Sequence, residues 1–127
     1  MELANVDQSS FAYNDLIGMD RWQSFTVSAS VTVVGTPTYT GRFRIVGRSC
    51  FFQISAVSDT SIATTAGTSY FELPVAAKGT GGMAVMTNDT SNVAVGVCHI
   101  DVATSRVYPP SQVASGNTFV IAGWHEV

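Results

Sequence analysis

Charge is sparse in this 127-residue chain. Only 12% of its residues are charged, about half the ~25% usual for soluble domains. Lys78 is the only lysine, and the net charge is −3. Nucleic-acid binders use broad basic patches to displace counterions. The one basic cluster here is Arg42, Arg44 and Arg48, so no nucleic-acid partner is expected. Cysteine is equally scarce, with Cys50 and Cys98 alone. No C-x-x-C or Cys/His ligand spacing occurs, so no metal site is expected. Both cysteines lie in apolar strand patterns, which predicts buried free thiols; a disulfide would depend on Cβ geometry that sequence does not give. No window approaches the ~20 consecutive apolar residues of a membrane helix, so no membrane insertion is expected. The opening MELANVDQSSFAYNDLIG has neither a basic nor an apolar region and does not read as a secretory signal.

Catalytic motifs are missing too. There is no G-x-S-x-G, P-loop, Rossmann fingerprint, H-E-x-x-H or EF-hand spacing. In AAKGTGG the lysine precedes the glycines and no helix follows, so a phosphate cradle is not built. His99 and Asp101 are two apart in a predicted strand and share a face. With a serine they would resemble a hydrolase triad, but a hydrogen-bonded pair in a sheet or subunit interface explains them as well. The remaining acids are too scattered to nominate a carboxylate pair. The loop Asn88-Asp89-Thr90-Ser91-Asn92 is oxygen-rich enough for calcium, yet turn chemistry explains the same residues. No catalytic residue and no cofactor is expected, and the chain reads as a binding or structural module.

What is present is apolar sequence in strand-length pieces. Apolar residues make up 46% of the chain, and no segment has helical periodicity. Residues 1–20 hold four of the nine acids and show no alternation. They read as an arm or linker, with a short helical turn around Leu3 to Val6. From residue 21 to 127 the pattern is β. In SFTVSASVTV, Phe25, Val27, Ala29, Val31 and Val33 alternate with Ser and Thr, which predicts one strand with one wet face. Gly47-Arg48 fits a two-residue type II′ hairpin turn. That turn sets Ile45 opposite Cys50, Phe43 opposite Phe52, Gly41 opposite Ile54 and Tyr39 opposite Ala56, all on one face. Arg44, Phe51, Arg42, Gln53, Thr40 and Ser55 take the other. A slip of one residue would destroy this sorting.

Further strands are predicted around Ser61 to Thr64, in Ser69 to Val75 (interrupted by Pro74), and in a second hairpin of Gly82 to Asn88 with Asn92 to Val102. A last strand covers TFVIAGWHEV, after a loop YPPSQVASGN. About eight antiparallel strands result, and the expected architecture is a two-sheet, jelly-roll-like sandwich. The strands of the second hairpin are apolar on both faces, so a second cover is needed. Val93, Val95, Val97 and His99 are therefore the candidate subunit interface. Trp22, Tyr39, Tyr70, Tyr108 and Trp124 are candidates for stacking against sugars, although large aromatics also serve as core.

The stretch GTPTYTGRFRIVGRSCFFQI resembles a pattern in the C-terminal domains of bacteriophage tail fibres and tailspikes. There a T-Y-x-G-R-[YF]-x-x-[IV]-G hairpin leads into an aromatic strand. Phe71-Glu72-Leu73-Pro74 matches a later L-P motif, and GNTFVIAGWHEV is similar to the closing strand. The likeness covers about Trp22 to Val127. It implies a virion-located tip domain of a tail fibre or spike, a homotrimer, that binds a bacterial surface polysaccharide. It carries over no catalytic set. A carbohydrate-binding module of an enzyme, or a capsid-decorating or head-fibre protein, is the alternative.

Overall fold

Alternating apolar residues and turn chemistry account for most of the strands. The structure, a computed structural model, describes residues 21–58, 61–90, 93–112 and 118–127. The arm at 1–20 and its predicted helical turn lie outside the described residues. The described chain is all-β. Its strands are β1 (Gln23–Phe25), β2 (Ala29–Ser30), β3 (Thr32–Val34), β4 (Pro37–Val46), β5 (Ser49–Ser58), β6 (Ser61–Ala63), β7 (Tyr70–Glu72), β8 (Gly82–Asn88), β9 (Val93–Asp101), β10 (Arg106–Tyr108) and β11 (Thr118–Glu126). Among the described residues no helix is long and apolar enough to cross a membrane.

The Gly47-Arg48 hairpin has the predicted register throughout, from Val46 opposite Ser49 to Tyr39 opposite Ala56. Gly47 has φ +62°, the value the first central position of a type II′ turn demands and the reason glycine occupies it. On β5 the sorting by face is complete: Cys50, Phe52, Ile54 and Ala56 are buried, while Phe51, Gln53 and Ser55 between them are only partly so. The second hairpin, β8 with β9, also forms as predicted.

Two expectations need correction. The strand count is eleven among the described residues, because β10 forms where no strand is expected (its Tyr108 opens the expected loop YPPSQVASGN) and because residues 25–33 do not form one strand. The burial alternation of that stretch is kept from Phe25 to Val33, but the segment takes three partners in turn. β1 pairs with β4, β2 with β7, and β3 with β6. Alternation encodes which face is buried; it carries no information on which neighbour accepts the hydrogen bonds.

The partner changes define the architecture. Nine strands form one antiparallel sheet in the order β1-β4-β5-β11-β8-β9-β10-β7-β2, and β3 with β6 forms a second, two-stranded sheet. β1 and β2 are the two edges of the large sheet, yet only residues 26–28 separate them in sequence. The sheet must therefore curl until its edges nearly meet. Ring contacts report the same curl. Phe71 on β7 packs edge-on against Tyr39 on β4 at 6.1 Å and against Phe119 on β11 at 6.4 Å, although five strands separate β7 from β4 in the sheet. The core lies inside this curl, with Phe52, Ile54, Phe71, Met86, Phe119 and Ile121 fully buried. β9 is the corner: it pairs with β8 through Cys98 and with β10 from His99 onward.

Both cysteines are buried and free. Cys50 stands opposite His125, and Cys98 opposite Ala84. Desolvation pushes the Cys50 thiol up to about 11 and the Cys98 thiol to about 12. Neither supplies thiolate at neutral pH, so both act as small apolar core residues.

His125 is the polar exception in the core. It is fully buried against Phe52, with ring centres 5.7 Å apart. Its Nδ1 lies 3.3 Å from the Glu126 carbonyl oxygen, which only accepts, so Nδ1 carries the proton. Nε2 is then a buried acceptor with no hydrogen-bond partner among the described residues. Burial lowers the His125 pKa below 6.5, because charging the ring there is unfavourable. The unfolded chain binds the proton more readily, so the contribution of this residue is complete above pH 6.5 and is lost as pH falls. Stability is expected to fall as pH drops from about 7.5 toward 5, with a slope below the ~1.4 kcal/mol per pH unit of one full proton. Urea unfolding of wild type and His125→Leu across that range checks it; the variant should be flat where wild type slopes. Asp101, held low chiefly by the Thr104 hydroxyl, acts in a separate window, losing its contribution only as pH falls below 3.8.

Candidate functional site

A curled sheet has an inner face committed to the core and an outer face free to meet a partner. Here the outer face is unusually apolar. Across β5, β11 and β8 the register places Phe51, Trp124 and Met83 in one row. The next row, across β11, β8 and β9, is Ala122, Val85 and Val97. Met83 is 58% exposed, Val97 67% and Trp124 40%. These figures exceed what scattered surface apolar residues need, because the residues are contiguous.

The predicted interface on β9 is divided by a bulge. Pairing runs from Met86 opposite Gly96 to Thr87 opposite Ala94, so Val95 is the extra residue. An inserted residue flips the alternation on either side of it. Val95 accordingly packs on the core, while Val97 and His99 face outward. Val93 sits opposite Asn88 at the strand end and is exposed. The four residues thus do not share one face, and the outward apolar surface is made by Val97 together with Met83 and Val85.

The five candidate aromatics fall into three places. Tyr39 points inward onto Phe71, and desolvation raises its pKa. Tyr70 and Tyr108 pair at 5.9 Å on β7 and β10. The Arg106 guanidinium covers Tyr70 at 3.9 Å and is tied to Glu72 at 3.0 Å. His99 stands 6.4 Å from Tyr108. A depression of about 530 Å³ lies beside them, lined by Val97, His99, Asp101, Tyr108 and Pro110. Asp101 is not oriented toward His99 as a triad would require. Its Oδ1 accepts from the Ala103 amide and its Oδ2 from the Thr104 hydroxyl at 2.7 Å. These bonds fix the turn between β9 and β10.

Trp22 and Trp124 come together at the other end of the sheet. They line a depression of about 440 Å³ with Arg44, Phe51, Gln53 and Ala122. The position of Trp22 follows from β1, since Gln23 pairs with Phe43 and so sets Trp22 beside Arg44. The Arg42 guanidinium lies 4.7 Å from the Trp22 ring centre and that of Arg44 5.5 Å. Arg44 also lies 5.7 Å from Phe51. Along β5 a second depression of about 300 Å³ follows, lined by Thr40, Arg42, Gln53, Ser55 and Val120. Sequence reasoning placed these polar residues on one face but nominated none of them. The alternation Arg42, Arg44 was the signal available; the arrival of Trp22 had none, because it depends on the β1–β4 pairing.

The oxygen-rich loop after β8 is occupied with its own turn. The Thr90 amide donates to Asn88 Oδ1 at 3.0 Å, and the Thr87 hydroxyl to Asp89 Oδ1 at 3.1 Å. Among the described residues no group of three or more His, Cys, Asp or Glu side chains is placed to hold a metal ion.

Comparison with known proteins gives no match to a protein-family model, to a curated sequence or to a solved structure.

Proposed function

We propose that this chain is a virion tip domain of a phage tail fibre or tailspike, a jelly-roll-like sandwich that assembles as a homotrimer and binds a bacterial surface polysaccharide. One observation carries the reading: the outer sheet face leaves Met83, Val85 and Val97 in contiguous contact with water. Apolar rows of that kind mark interaction sites. A second copy of the chain suits them because the low charge of the whole domain leaves few groups to repel it. The change of partner along β9 supports a sheet folded into two layers, the sandwich form of the reading. Trp22 and Trp124, which line one depression, and the pair Tyr70–Tyr108 supply flat faces for sugar rings. The likeness of the Thr38 to Gly47 hairpin to fibre-tip sequences supplies the virion context. Chemistry at the site plays no part in this reading, which takes the domain as non-catalytic.

Light scattering or native mass measurement at micromolar concentration tests the assembly, and a monomer would overturn it in favour of a carbohydrate-binding module. Val97→Asp is the sharper variant. Val97 is 67% exposed in the single chain, so the folded chain should lose at most ~0.5 kcal/mol. In a trimer the same carboxylate would be buried without a partner. The expected result is dissociation to folded monomers with an unchanged circular dichroism spectrum. Survival of the trimer would place its interface off this patch.

A further inference from the structure

The two depressions along β5 share Gln53 and form one trough. It runs from Phe51 to Ser55, about 13 Å at strand spacing. One end is aromatic, with Trp22, Phe51 and Trp124. The other carries the hydroxyls of Thr40 and Ser55. Between them stands Arg42. Its Nε donates to Gln53 Oε1 at 2.7 Å, and its Cζ rests 4.7 Å from the Trp22 ring centre. Those two contacts fix the plane of the guanidinium without using its terminal nitrogens. No hydrogen bond or ion pair engages those nitrogens among the described residues.

Among the described residues Arg42 has an amide and an aromatic ring beside it and no acid. The acids of the described chain are committed elsewhere. Glu72 pairs with Arg106, Asp101 and Asp89 serve their turns, and Glu126 Oε1 accepts from the Thr80 amide. No carboxylate of the described residues lines either depression. The contrast with Arg106 is direct: both arginines lie over an aromatic ring, but Arg106 has an acid beside it and Arg42 has an amide. A planar fork of donors, pre-oriented and facing out of the protein, matches a carboxylate in bidentate geometry. An aromatic platform alongside matches the apolar face of a sugar ring.

We infer that the trough binds an acidic polysaccharide, with a sugar carboxylate on the terminal nitrogens of Arg42, a ring face on Trp124 or Phe51, and hydroxyls on Gln53, Thr40 and Ser55. The inference rests on the glycan-binding reading above and names the class of glycan. It makes the Tyr70–Tyr108 cluster, whose cation is already neutralised, a secondary surface at most.

The test uses the full chain and a panel of bacterial capsular polysaccharides, each acidic one also supplied in carboxyl-reduced form, with binding measured by calorimetry. The expected result is at least tenfold preference for the acidic form of any glycan that binds. Arg42→Gln should remove that preference while leaving the fold and the weaker binding of the reduced form intact. Trp124→Ala should weaken both forms. Tyr108→Ala should change neither. Equal binding of acidic and reduced forms, or a preference that survives Arg42→Gln, would overturn the acidic class while leaving the glycan-binding function standing. Inhibition by inorganic phosphate as strong as by the polysaccharide would overturn it as well, since a bare anion site would then suffice. Absence of binding to every member of the panel would remove both the class and the receptor role, with the oligomeric state measured separately.

Discussion

Phe52→Asp is expected to abolish folding. Phe52 sits on the buried face of β5, is 1% exposed, and packs against His125. β5 is the third strand of the large sheet, hydrogen-bonded to β4 on one side and β11 on the other. Neither neighbour leaves a route by which a carboxylate at this position reaches water. The nearby ring nitrogen, His125 Nε2, is an acceptor in the neutral tautomer and gives the carboxylate nothing. Burying an unpaired charge costs several kcal/mol at the least, and the aromatic contacts are lost with it. The whole stability of a domain of this size is about 5–15 kcal/mol. The expected outcome is insoluble expression or a soluble chain without a cooperative urea transition. Phe51→Asp, one residue away on the outer face, is the control and should fold. If Phe51→Asp unfolds the chain while Phe52→Asp melts as wild type does, the register of the Gly47-Arg48 hairpin is wrong, and with it every assignment of face in β4, β5 and β11.

That register was legible in sequence because one glycine turn fixes twenty residues at once. Once Val46 faces Ser49, each further pair follows by counting, and burial on both strands agrees with the count. β8, β9 and β11 were legible for a similar reason, as long apolar runs bounded by turn residues. β10 was not, because Arg106, Val107 and Tyr108 contain a single apolar residue that needs burial. Its existence depends on Phe71 and Ile100, its neighbours across the sheet. The splitting of residues 25–33 was hidden for a deeper reason. Side-chain alternation is a property of one chain segment, whereas pairing is a property of two. A segment that leaves one edge of a curled sheet and joins the other keeps its inward face inward throughout.

The site was legible only in part for the same reason. Alternation puts Arg42 and Arg44 on one face, and Trp22 and Trp124 stand among the stacking candidates, but nothing local joins them. They meet because β1 adds to β4 and because β11 inserts beside β5, both contacts between residues distant in sequence. Val95 shows the converse failure. Simple counting by two places it with Val97, and one bulge between Met86 and Thr87 moves it to the core. A bulge has no side-chain signature here, and Gly96 beside it is the sole hint.

Gly123→Ala is the substitution whose sign departs most from ordinary expectation. Glycine in the middle of a strand is normally a weakness, and alanine would recover about 0.5–1 kcal/mol. Gly123 lies on the inward face of β11, opposite Phe52 on β5 and Ala84 on β8. A Cβ built there would fall on the Met83 carbonyl oxygen and within 2.5 Å of Ala84 Cα and 2.6 Å of Ala84 Cβ. These are backbone atoms and the stub of an alanine, not the end of a flexible side chain, so a strand must move. Overpacking in a well-filled core costs about 1–3 kcal/mol, and here the displacement also strains the β8–β11 hydrogen bonds. A lowered urea midpoint is expected. Gly47→Ala gives the comparison: it has open space around it, and its loss of about 1–2 kcal/mol comes from the left-handed backbone alone. The two variants differ in a second readout. Moving β8 shifts Met83 and Val85 on the outer face, so Gly123→Ala should also weaken subunit association, whereas Gly47→Ala should not. A neutral Gly123→Ala would mean that β8 and β11 do not approach as closely as the structure places them.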